Sequence, residues 1–187
     1  LPVNIRIFIE GEEEIGSPTM SDFIEQNREA LEADVIVIAD SGNVKIGVPT
    51  ITTSLRGLAD AIIEVDQPMR PVHSGMGGGI VPDAFMVLSK IIASFHNEKG
   101  DLMIEGLTST DMKVAELDKS YTQKMLGSEE INLFDTDSIS KRLWLEPALD
   151  VLAIDAPSIE DAVNLVIPKA RAKISLRLPP TEDPEHA

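Results

Sequence analysis

The sequence predicts two kinds of structure in series: an α/β segment of β-α-β type, then a two-layer α+β unit with helices on one face of an antiparallel sheet. Three observations carry this. Val3-Asn4-Ile5-Arg6-Ile7-Phe8-Ile9 sets apolar residues at every odd position, the period of a half-buried strand. Val35-Ile36-Val37-Ile38-Ala39 is an unbroken apolar run, the pattern of a strand covered on both faces. After Val48-Pro49 the character changes, and short apolar runs alternate with Gly- and Pro-rich turns.

Taken in order, the first strand pattern ends in Glu10-Gly11-Glu12-Glu13-Glu14, and Ser17-Pro18 opens a helix over residues 19–32 with Met20, Phe23, Ile24 and Leu31 near helical spacing. The second strand stops at Asp40-Ser41-Gly42-Asn43. Residues 50–65, rich in Thr, Ile and Val and broken at Arg56-Gly57, predict a long bent strand or a hairpin. A turn at Gln67-Pro68-Met69-Arg70-Pro71 leads to His73-Ser74-Gly75-Met76-Gly77-Gly78-Gly79. Residues 81–95 predict a helix whose apolar face holds Ala84, Val87, Leu88, Ile91, Ile92 and Phe95. Further helices are expected over 112–125, 138–145 and 158–164, and strands over 151–154 and 170–178. A strand beginning at residue 3 needs neighbours, so the chain reads as a piece of a longer protein.

Composition narrows the function. At 187 residues and 43% hydrophobic, the chain is long enough for one large or two small folded units. A net charge of −16 argues against nucleic acid and anionic membranes as partners, because the phosphate term would repel. Cysteine is absent, which excludes thiolate metal sites and cysteine nucleophiles and suits a reducing compartment. The expectation is a soluble cytoplasmic protein with no membrane partner.

Both acidic groups follow predicted strands. In open α/β sheets ligands bind beyond the carboxyl ends of strands, and like charges gathered there call for a cation between them. Residues 10–14 and Asp40 are therefore either a metal site or a solvated acidic rim. The glycines at 75, 77, 78 and 79 match neither a dinucleotide fingerprint nor a P-loop, so tight backbone geometry beside His73 is the better reading. His73 is either a solvated loop residue or an imidazole held rigidly between a proline turn and the glycines. A hydrolytic zinc site takes three or four donors from His, Asp and Glu. With three histidines and no His-Glu-x-x-His, this chain supplies half a site.

Four segments in order resemble a known family. They are Gly11-Glu12-Glu13-Glu14-Ile15-Gly16-Ser17, Ala39-Asp40-Ser41-Gly42, Arg56-Gly57 leading to His73-Ser74-Gly75-Met76-Gly77-Gly78, and Val166-Ile167-Pro168 followed by Ile174-Ser175-Leu176-Arg177-Leu178. Together they resemble the co-catalytic dinuclear zinc peptidases, which include carnosinase-type dipeptidases, aminoacylases, glutamate carboxypeptidases and succinyl-diaminopimelate desuccinylase, most closely the carnosinase-like branch. The resemblance implies a partial catalytic domain at 1–49, a ferredoxin-like lid and dimerisation domain at 50–180, and a return to the catalytic domain at 181–187.

It also implies roles. Glu13 is the expected general base, and Glu14 and Asp40 the expected ligands of two Zn²⁺ ions per subunit, with Mn²⁺ or Co²⁺ possible in such a site. His73 is the expected lid histidine that stabilises the oxyanion in the partner subunit's site, and Arg177 the expected partner of the substrate carboxylate. The family's bridging aspartate should precede residue 1 and its last histidine ligand should follow residue 187. A metal pair about 3.5–4 Å apart then lacks its bridge, and the segment alone is expected to be inactive. The implied parent is a homodimeric hydrolase of dipeptides or small peptides with a free carboxylate. The alternatives are an N-acyl amino acid deacylase and a dimerisation module without catalysis.

Overall fold

The computed structural model describes residues 2–40, 42–185 and 187. Ser41, within the Ala39 to Gly42 motif, and His186, within the 181–187 segment, lie outside the described residues. The chain divides into two units, residues 1–41 and 42–187, each described by itself.

In the first unit a 3-10 turn at Glu13–Ile15 precedes helices α1 (Met20–Gln26) and α2 (Arg28–Leu31). The expected single helix is interrupted at Asn27, whose side-chain amide donates to the Phe23 carbonyl at 2.8 Å. Asn and Ser offer the backbone such local alternatives to helix. Residues 3–9 and 35–39 are not strands, contrary to the sequence pattern. Ile5, Ile7 and Ile9 are 73–85% exposed and Val35 to Ile38 76–84%. A fully covered strand is stabilised by burial on both faces and by ladder bonds to its neighbours. Among the described residues neither segment has a neighbour, so the β-α-β pairing does not form, although the mixed α/β class holds.

The second unit contains β1 (Gly57–Asp66), β2 (Val72–His73), α3 (Ser74–Gly77), α4 (Ala84–Ser94), α5 (Lys119–Met125), α6 (Ile139–Trp144), β3 (Ala148–Asp155), β4 (Leu165–Val166) and β5 (Lys169–Leu178). Strand β5 lies between β1 and β3, antiparallel to both, and β2 pairs with β4 in a separate ribbon. The expected long strand from residue 50 begins only at Gly57. A bulge at Leu152 shifts the register of β3 against β5, which adds local twist.

The core follows from alternation along β5. Ala170, Ala172, Ile174, Leu176 and Leu178 are buried, while Lys169, Arg171, Lys173 and Arg177 are exposed. The small Ala170 and Ala172 meet Ala84 and Leu88 of α4, with Ile63, Val65, Phe85 and Ile92 packed around them. Ile174, Leu176 and Leu178 join Leu149, covered by Phe95, Leu102, Ile104 and Leu107. Asp83 anchors the helix to the sheet: one carboxylate oxygen caps α4 by accepting from Met86 N at 3.0 Å, and the other accepts from Ile167 N at 3.2 Å.

The expected helix over 112–125 starts late because Asp118 caps it, accepting from Tyr121 N at 2.9 Å. Upstream, Glu116 caps α6 across the chain, accepting from Ser138 Oγ at 2.6 Å and Ile139 N at 3.0 Å. Residues 158–164 form only a turn, Ser158 accepting from Asp161 N at 3.2 Å. With Ile159 90% and Val163 70% exposed, a short helix there would lack the packing that stabilises it.

Two outcomes are expected. Leu88→Ala empties a 1%-exposed site and should cost about 2–5 kcal/mol in urea denaturation; a loss near zero contradicts this core. Asp60, Asp101, Glu116 and Asp118 are held below ordinary carboxylate values, chiefly by hydrogen bonds from Ser175, Asn97, Ser138 and the Tyr121 amide respectively. Carboxylates lowered in the folded state bind protons more readily when unfolded. Their contribution is therefore present above about pH 4 and lost as pH falls through the folded values. Thermal unfolding should show Tm falling below about pH 4, with Glu116→Gln flattening that acid limb; an unchanged limb contradicts the capping role.

Candidate functional site

The acidic turn of the first unit is built on Glu12. Its carbonyl accepts from Ile15 N at 3.1 Å and Ser17 N at 2.9 Å, and its carboxylate accepts from Thr19 Oγ1 at 2.5 Å. Gly16 and Ser17 both take positive φ, +85° and +51°, which reverses the chain toward α1. Phe8 and Phe23 stack with ring centroids 5.3 Å apart, fixing residues 7–12 against α1 across a cleft of ≈ 470 Å³. Glu12 thus serves the architecture of the loop.

Glu13 and Glu14 sit on the 3-10 turn with both side chains exposed and without intramolecular partners among the described residues. Asp40 is likewise exposed. Glu10 differs, because its Oε1 is buried and lacks a hydrogen-bond partner. Carboxylate oxygens suit a hard or borderline divalent ion, but no three His, Asp or Glu side chains gather to hold one among the described residues.

In the second unit His73 ends β2, opposite Leu165 of β4. Its Nδ1 accepts from Gly75 N at 3.0 Å, and Ser74 N donates to the Asn164 carbonyl at 2.9 Å. The glycine cluster is a matter of clearance, as the sequence implies: a Cβ on Gly77 would come within 2.5 Å of Val72 Cγ2.

Arg177 belongs to the exposed row of β5. Lys169 pairs with Glu64 at 3.0 Å and Asp66 at 3.4 Å, Lys173 with Asp60 at 3.2 Å, and Arg171 Nε donates to Asp155 at 2.9 Å. Arg177 is the exception, and among the described residues it forms no ion pair. Arg56, given no role of its own by the sequence, adjoins it. Burial first, and then the Arg177 guanidinium, lowers the Arg56 pKa, with Asp150 opposing. The sequence signal for Arg56 was its place beside Gly57, two residues before Leu58, which pairs with Arg177.

With this geometry in hand, comparison identifies the relatives. Residues 53–187 match the M20 family described as the peptidase dimerisation domain. The chain is 38% identical over 183 residues to a cysteinylglycine-S-conjugate dipeptidase of Corynebacterium striatum, covering 95% of this chain and 40% of that protein. It is 31% identical over 193 residues to the Beta-Ala-His dipeptidase of Homo sapiens, covering 96% and 38%. Among solved structures, an M20 family metallo-carboxypeptidase from Sulfolobus solfataricus superposes with a TM-score of 0.69 at 27% identity, covering 95% of this chain and 43% of that one. Human carnosine dipeptidase 1 gives 0.68 at 26% identity, covering 94% and 40%. The chain spans about 40% of the length of the curated relatives it matches. The match over residues 53–187 is more than half of the chain, which belongs to the M20 peptidase dimerisation domain family.

Proposed function

We propose that this chain is part of a metal-dependent dipeptidase that hydrolyses small peptides with a free carboxylate. The two curated relatives named above are dipeptidases, which favours a dipeptide over an N-acyl amino acid as substrate. The observation that carries the reading is the pair of exposed carboxylates, Glu13 and Glu14, without partners among the described residues, on a turn that Glu12 holds in shape. A charge run that served only solubility would not call for a neighbouring glutamate tied down by Thr19.

In this reading Glu14 and Asp40 are the chain's donors to two Zn²⁺ ions, Mn²⁺ or Co²⁺ being substitutes, with the remaining donors outside residues 1–187. Glu13 accepts the proton of the attacking water and returns it to the leaving amine. His73 donates to the developing oxyanion in the partner subunit's site, and Arg177, which forms no ion pair among the described residues, receives the substrate carboxylate through its planar fork. Residues 1–49 belong to the catalytic domain and 50–180 to a lid that also makes the homodimer, in keeping with the family's description as a dimerisation domain. A cytoplasmic location is part of the proposal. Among the described residues no helix is long and apolar enough to cross a membrane.

The test compares the intact protein, its Glu13→Ala variant and the isolated 187-residue segment. The intact protein should hold two metal ions and cleave dipeptides. Glu13→Ala should keep the metal and lose kcat by about 10²–10⁴-fold, and the segment should cleave nothing. Full turnover by Glu13→Ala, or hydrolysis by the segment alone, sinks the assignment. An intact protein that dimerises without metal or activity favours the module without catalysis.

A further inference from the structure

The imidazole of His73 folds back over the first turn of α3. Gly75 N is one of the donors that a helix start leaves without an intrahelical acceptor, and it finds one in His73 Nδ1 at 3.0 Å. A ring nitrogen that accepts from an amide has its lone pair engaged, so in the neutral imidazole the proton resides on Nε2. Among the described residues Nε2 has no partner, and the His73 side chain is exposed.

The position of the donor is set by backbone geometry. Strand β2 ends at His73, where the chain turns into α3, and Ser74 N is held by the Asn164 carbonyl at 2.9 Å. That bond holds the peptide just before the one whose N–H approaches the ring. A Cβ on residue 75 would lie 3.2 Å from Nδ1 and 3.3 Å from Cε1. A side chain there would make the ring give way by a few tenths of an ångström, and glycine spares the contact that shift.

We propose that Gly75 is a positioning residue: its N–H locks His73 in the Nε2–H tautomer, so that His73 meets the substrate as a hydrogen-bond donor. With Nδ1 occupied and Nε2 protonated, neither nitrogen of the neutral ring offers a lone pair to a metal ion or to a proton from water. This separates His73 from Glu13, which accepts a proton, and from Glu14 and Asp40, which offer charge to a cation. The inference rests on the reading of His73 as the donor to the oxyanion.

The test uses the intact protein with ¹⁵N-labelled histidine. The His73 ring signals are identified by their loss in His73→Asn, and ¹⁵N–¹H correlations across the ring report the tautomer. Protonated Nε2 with bare Nδ1 is expected; protonated Nδ1, or an even mixture, overturns the inference. Gly75→Ala should erode that tautomer preference and lower kcat on the order of ten-fold, with KM little changed. Gly75→Ala with the tautomer and kcat both intact also overturns it. Should Gly75→Ala fail to fold, the wild-type spectrum alone decides. An Nε2–H spectrum alongside unchanged kcat in His73→Ala refutes the catalytic reading of His73 and upholds the lock itself.

Discussion

Strand β5 is the last strand in the chain and the central one in its sheet, paired along one edge with residues 57–66 and along the other with 148–155. A strand satisfied on both edges with one apolar face is strongly fixed in register, since a slip of one residue would turn Ile174 and Leu176 outward and Lys173 and Arg177 inward. The second unit is organised by that register. It sets the alanines under α4, and through the Asp83 bridge to Ile167 it ties the start of α4 to the connection leading into β5. The β2–β4 ribbon that ends at His73 lies just upstream of the same connection.

The exposed face of β5 shows how charge is apportioned in a chain of net −16. Carboxylates on the flanking strands accompany Lys169, Arg171 and Lys173. Exposed pairs of this kind contribute little stability one by one, but each cation so engaged is less available to an external anion. Arg177 forms no ion pair among the described residues, although its charge reaches Asp60, and the half-buried Arg56 beside it adds a second positive group that Asp150 opposes. Two guanidiniums in one neighbourhood are costly unless an anion joins them. Asp60 and Asp150 offset part of that cost, and the proposal of a substrate carboxylate here rests on the exposed planar fork of Arg177.

Much of this was legible in the sequence because it is local. The alternation of residues 170–178 and the apolar face of residues 81–95 are short-range periodicities, and both elements form close to where the pattern sets them. Gly77 and its neighbours were readable as a crowded backbone. The failures are non-local. Residues 3–9 and 35–39 have the composition of strands, yet a strand exists only with a partner, and none is present among the described residues. Strand β4 is two residues long and is defined by β2 across the ribbon, so no periodicity could reveal it. Glu116 lies 22 residues from the Ser138 it accepts from, and such a cap has no signature in sequence. Of the candidate residues, Glu13 and Glu14 were singled out by the family resemblance within an acidic run that follows the first apolar stretch, whereas the lack of an ion pair at Arg177 among the described residues emerged only from the pairing of its neighbours.

The measurement that bears most directly on this account compares a dipeptide with its C-terminal amide, in the intact protein and in Arg177→Gln. If the Arg177 guanidinium receives the substrate carboxylate, wild-type kcat/KM should fall about ten- to a hundred-fold on the amide, and Arg177→Gln should treat acid and amide nearly alike. Full preference for the acid in Arg177→Gln would contradict the account, because Arg177 would then have no part in recognition.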